Sequence, residues 1–177
     1  MAVQDKYTNA NLVADKLANP ALGGGGSPAI VMVETVELAA GDSAGSVYRF
    51  FAGLSGSLIP IDIKVYSDDA LTDENDADIG LYEQGVGGAA IDADVFADSL
   101  DLIPVGGILR GGVAGGPDLG ADGMGSVDIA NLTKKIYEHA GHTVSTAKRG
   151  YDLCLTANTG ITTAGGTVTM IATFIQG

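Results

Sequence analysis

Apolar and polar residues alternate with period two along most of this chain, which predicts β-strands. Ile30 to Leu38 is rich in β-branched residues, and Ile30, Met32, Val36 and Leu38 share one side; Glu34 breaks it. Ala39 to Ser43 reads as a turn, Ser46 to Phe51 as a second strand, and Gly53 to Ser57 as another turn. Ile61 to Tyr66 alternates with Ile61, Ile63 and Val65 inward, the pattern of a half-buried antiparallel strand. Ile79 to Glu83 is shorter, with Ile79 and Leu81 on one face. Residues 89–103 fit either a strand or a brief helical turn around Val95 and Phe96.

The C-terminal third adds a helix and two strands. Ile129, Leu132 and Ile136 recur at helical spacing within Asp128 to Ala140, and Gly141 supplies the stop. Tyr151 to Ala157 places Tyr151, Leu153 and Leu155 on one face. Thr167 to Ile175 does the same with Val168, Met170, Ala172 and Phe174. The Gly/Thr stretch 159–166 between them predicts a hairpin. Six or seven strands and one short helix predict a mainly β chain: an antiparallel β-sandwich, jelly-roll-like, over residues 28–177.

Residues 1–27 predict an extended N-terminal arm. Asn9 to Asn19 offers one short helix, with Leu12, Val13 and Leu17 on a common side and Pro20 just beyond. Such a helix is too short to persist alone. Gly23 to Gly26 then gives a flexible linker, so the arm is expected to order against something else, such as a neighbouring copy. Residues 104–125 form a long Gly-rich stretch, and loops of that length are usually functional or ordered by a partner.

Composition narrows the function classes. Nine Lys and Arg against 22 Asp and Glu give a net charge of −13 in 177 residues. Phosphate contacts need clustered cations, so nucleic acid is an unfavourable partner, and so is an anionic membrane surface. A hydrophobic share of 46% with 18% charged residues separates the chain from disordered sequences. The single Cys excludes an intrachain disulfide framework. Met1 to Tyr7 has no basic segment leading into an apolar one, so synthesis in a cytoplasm without a signal peptide is expected.

Candidate chemistry is sparse. The densest charge, 68–78, fails the EF-hand template, because Gly80 at its sixth position would place Ala77 and Ile79 at ligand positions. A solvated acidic loop is the expected reading, with an irregular Ca²⁺ site as the alternative. His139 and His142 are three apart and do not match the zinc-protease helix motif; they read as a surface helix end whose partial charge suits the helix dipole. The sequence carries no phosphate loop, and Cys154 reads as an inert strand thiol. Asn131-Leu132-Thr133 matches a glycosylation sequon but follows no secretory signal. Tyr48, Phe50 and Phe51 read as packing residues. An enzyme is not expected, and neither is a cofactor or a metal.

One set of segments carries a resemblance. Gly45 to Leu54 followed by Ile59 to Lys64 resembles segments of tailed-phage virion proteins, and Asp78-Ile79-Gly80-Leu81-Tyr82-Glu83 with Ala90 to Ala97 is similar to segments of small capsid-associated proteins, especially capsid decoration (cement) proteins of double-stranded DNA phages. The likeness spans about residues 30–140 and rests on packing patterns, so it transfers no functional residues. It implies a β-rich protein, often trimeric, that sits on the outer capsid surface and clamps seams between major capsid subunits. The interface candidates are Tyr7, Leu12, Val13 and Leu17 in the arm, and Ile108, Leu109 and Val113 in the Gly-rich stretch. Two other classes fit the same residues: another virion part (a head fibre, tail tube or receptor-binding module), or a carbohydrate- or Ca²⁺-binding β-sandwich module.

Overall fold

The computed structural model describes residues 5–7, 29–67, 76–100, 102, 131, 133–143, 150–161 and 166–177. The helix expected at Asn9 to Asn19, the Gly linker, the acidic stretch 68–75 and the Gly-rich stretch 104–125 lie outside them. The strands are β1 (Asp5–Tyr7), β2 (Ala29–Leu38), β3 (Ser46–Ser55), β4 (Leu58–Ser67), β5 (Ala77–Glu83), β6 (Ala90–Leu100), β7 (Gly150–Ala157) and β8 (Gly166–Gln176). One helical turn, α1, spans Ile136–His139.

These strands form two sheets, ordered β1-β3-β7-β5-β6 and β2-β8-β4. The short β1 runs parallel to β3, and every other pairing is antiparallel. Between the sheets lies the core expected of a β-sandwich: Leu38, Phe50, Val65, Leu153, Met170 and Phe174 are all buried. The mainly β, two-sheet architecture is the one the alternation predicts. Residues 90–100 resolve the open choice in favour of a strand.

Three local expectations need correction. First, β7 and β8 are not a hairpin. β7 is the middle strand of the five-stranded sheet, while β8 is the middle strand of the other. Sheets in a sandwich sit about 10 Å apart, a gap that a Gly/Thr connection of this length spans as readily as it turns a hairpin. Second, Ile61 does not point inward. Pro60 pairs with Phe174 and Asp62 with Thr173, so Ile61 is the extra residue of a β-bulge. The alternation shifts by one, leaving Ile61 44% exposed while Ile63 and Val65 are buried. Third, among the described residues the helix is one turn long, Ile136–His139, while Ile129 and Leu132 of the expected span lie outside them. Lys135 is extended (φ −79°, ψ 159°), and its N–H donates to Glu138 Oε2 at 2.8 Å. Tertiary contact fixes that turn: Ile136 is fully buried and Tyr137 N–H donates to Gly56 O at 3.2 Å. Gly141 stops it as expected, in a left-handed conformation (φ 67°).

Candidate functional site

β7 is buried along both faces from Tyr151 to Ala157, although its polar residues alternate. One face (Tyr151, Leu153, Leu155) is apolar, as the sequence predicts. The other carries Asp152, Cys154 and Thr156, and there the structure builds a polar hub.

Arg49 of β3 stands opposite Cys154, and its Nη1 donates to Asp152 Oδ2 at 3.0 Å. Arg49 and Asp152 are only 1% and 0% exposed. The same Nη1 reaches Glu83 O at 3.2 Å, and Nη2 donates to Gly88 O at 2.9 Å. Asp152 accepts backbone N–H groups from Gly53 (Oδ1, 2.8 Å) and Gly85 (Oδ2, 3.0 Å). The guanidinium lies 5.4 Å from the centre of the Tyr82 ring, and Tyr82 Oη shares a 2.6 Å hydrogen bond with Thr156. Burial raises the Tyr82 phenol above its ordinary pKa. A buried charge is tolerable only when paired and hydrogen-bonded, and here both ions are. With its donors and acceptors turned on the protein's own backbone, the hub is a fastener. It fixes the β5–β6 connection, residues 84–89, whose tip Val86 is 69% exposed. Cys154 is fully buried, 3.8 Å from Arg49 Nη1, consistent with an inert strand thiol.

The histidines differ from expectation. His139 is half-buried rather than a charged surface end, with its ring edge-on to Phe96 at 5.3 Å. Burial, and then nearby Lys134, lower its pKa to about 4, so it is neutral at pH 7. Its Nε2 is buried with no hydrogen-bond partner among the described residues. His142 Nδ1 instead shares a 2.7 Å hydrogen bond with Tyr151 Oη. Among the described residues, no group of three or more His, Cys, Asp or Glu is placed to hold a metal.

Of the interface candidates, Tyr7 lies in β1, paired with Arg49 of β3 through the backbone. Leu12, Val13, Leu17, Ile108, Leu109 and Val113 lie outside the described residues. The structure draws attention elsewhere, to the outward face of the β2-β8-β4 sheet. Val31 and Val33 on β2 are 59% and 58% exposed, and Ile61 on β4 joins them across the sheet. Half-buried Ile171 and Ile175 of β8 fill the row between, with Ile59 of β4 opposite Ile175. Thr35 and Thr169 hydrogen-bond at 2.9 Å on the same face. The signal was present in the sequence: Val31 and Val33 make β2 apolar on both sides, where a solvated sheet face would alternate with polar residues.

No family model matches the chain, and no curated protein matches it. Among solved structures it is similar to a chain of the cyanophage Pam1 capsid asymmetric unit, with a TM-score of 0.52 and 15% identity, covering 87% of this chain and 89% of that one. It is also similar to a chain of the capsid of Ralstonia phage GP4, with a TM-score of 0.54 and 16% identity, covering 86% of each. At such identities the likeness is one of fold: this chain shares its architecture, over most of its length, with chains found in two phage capsids.

Proposed function

We propose that this chain is a virion structural protein of a tailed phage, a cement protein that binds the outer capsid surface and stabilises contacts between major capsid subunits. The observation that carries the reading is the near-full-length likeness in fold to chains of two phage capsids. Coverage is almost equal in both directions, so the matched chains are about as long as this one and the likeness concerns a whole chain. The strand orders β2-β8-β4 and β3-β7-β5-β6 nest β2 with β8 outside β3 with β7, and those outside β5 with β6, which supports the jelly-roll-like reading.

The physical task suits these residues. Densely packed DNA pushes outward on a thin shell, and a protein bridging subunits adds buried area across each seam. A standard interface buries about 1,600 Å², and many copies multiply the effect. The charge of −13 suits a face turned away from DNA. The partners in this reading are the major capsid protein and further copies of the chain in a homotrimer, without nucleic acid, membrane or cofactor. The chain is made in the host cytoplasm and ends in the virion. Tyr7, Leu12, Val13, Leu17, Ile108, Leu109 and Val113 remain the proposed contacts of the arm and Gly-rich stretch.

Quantitative mass spectrometry of purified virions tests this reading. A copy number equal to that of the major shell protein, or a simple fraction of it, is the expected result. A handful of copies per virion would move the chain to a vertex, fibre or tail, and absence from virions would overturn the reading.

A further inference from the structure

We infer that the outward face of the β2-β8-β4 sheet is the surface that seats on the shell, against an uncharged, apolar patch of a capsid subunit. This inference rests on the cement reading and adds to it the face, the chemistry and the orientation. The two sheets are unequal. The centre of the five-stranded sheet, β7, is covered on both sides, whereas the three-stranded sheet buries Val36, Val168, Met170, Ala172 and Phe174 inward and, among the described residues, leaves Val31, Val33 and Ile61 exposed on its other face. These are three of the four large hydrophobic residues most exposed among the described residues. Contiguous apolar surface of this kind marks an interaction site rather than ordinary scatter.

Charge and area select the occupant. The chain carries −13 overall, yet the charges on this face are few: Glu37 at one end of β2, and Asp62 and Lys64 of β4, which pair with each other. The face therefore meets a neutral surface with its β4 charges already paired and with Glu37 at its edge, exposed to solvent. Strand spacing and rise give three strands of about ten residues roughly 500 Å² of face. A stable pairwise interface needs about 800 Å² per partner. Two copies, each strongly acidic, would not hold together through this face alone. A shell lattice, which adds further contacts at every position, would hold it by avidity. Seated this way, the acidic remainder of the chain faces solvent. Binding through an apolar face is also nearly indifferent to salt, unlike binding through ion pairs.

The test is co-sedimentation of the full chain with shells of its own phage assembled without it. Val31→Asp/Val33→Asp serves as the first variant, and Val31→Thr/Val33→Thr, which keeps shape and β propensity, as the second. The wild type is expected to bind with similar affinity from about 0.05 M to about 0.5 M salt. The Asp pair should bind on the order of a hundredfold more weakly, since burying each Val is worth about tenfold, and the Thr pair should lie between. Wild-type binding matched by both variants, with melting temperatures unchanged, would overturn the assignment of the face and leave the cement reading standing. Wild-type binding lost at the higher salt would also overturn it. A wild type that ignores the shells would overturn both. A wild-type dimer in solution that the Asp pair dissociates would overturn the choice of occupant, giving the face to a second copy.

Discussion

Arg49 and Asp152, 103 positions apart in the chain, meet at 3.0 Å with both side chains almost wholly excluded from solvent. Their contact joins β3 to β7 and, through Glu83 O, Gly88 O and the Gly85 N–H, pins the β5–β6 connection to the sheet. Removing one member strands the other, and uncompensated buried charge typically costs about 3–5 kcal/mol. Arg49→Met and Asp152→Asn are each expected to lose stability of that order in urea denaturation. The double variant should lose less than the sum of the singles, because neither charge is then left alone. Additive losses would mean that the two groups act independently.

The bulge at Ile61 makes a contrast between near neighbours. Ile61 is 44% exposed and Ile63 is buried. Ile61→Thr should change folding stability by about 0.5 kcal/mol or less. Ile63→Ala should cost about 2–5 kcal/mol, from lost burial and the cavity left behind. Equal costs at the two positions would restore the unbroken alternation that Ile61, Ile63 and Val65 display in sequence.

That pair also shows what the sequence made legible. Period-two patterning locates strands well, because each strand's inward face must be apolar; β2, β7 and β8 lie within a residue or so of their expected bounds. It does not say which strands share a sheet, since β7 and β8 satisfy the same pattern paired or apart. A bulge adds one residue and inverts the phase beyond it, which no composition reveals. The hub was hidden for another reason. Arg49 stands between apolar Tyr48 and Phe50, and Asp152 between Tyr151 and Leu153, so local pattern alone gives neither a reason to be buried; only a distant partner makes the burial tolerable. A hint was available in Cys154, a residue type most often buried, standing on the same face of β7 as Asp152. The outward apolar row at Val31 and Val33 was equally present, but a strand read for its core face leaves the opposite face unexamined.

Gly80 is where two strands approach too closely for a side chain. A Cβ there would fall 2.2 Å from Asp92 O and from the carbonyl carbon of Ala93, both backbone atoms of β6. The pairing of β5 with β6 is irregular on either side of it, between Ile79 and Leu81. Relief would require β6 to move, since no flexible side chain stands in the way. Gly80→Ala is therefore expected to destabilise by about 3 kcal/mol, at the upper end of typical overpacking costs. Ordinary stability in this variant, measured by thermal melting, would show that β6 can shift freely.

His139 sets a pH dependence whose sign follows from its burial. Its pKa is about 4 in the fold, against about 6.5 in an unfolded chain. Between those values the unfolded state binds the extra proton, so stability rises with pH. The contribution is fully present above about pH 6.5 and is lost as pH falls toward about 4. Lys134 pushes in the same direction as burial, Glu138 opposes them, and the Phe96 ring closes one side. His139→Phe removes both the titrating group and the unpartnered Nε2 while keeping a ring against Phe96. Carboxylates elsewhere also titrate in acid, so the informative quantity is the stability of the variant minus that of the wild type. That difference should be flat above about pH 6.5 and should grow in favour of the variant as pH falls to about 4.5. A difference independent of pH would mean that His139 is protonated as readily in the fold as out of it.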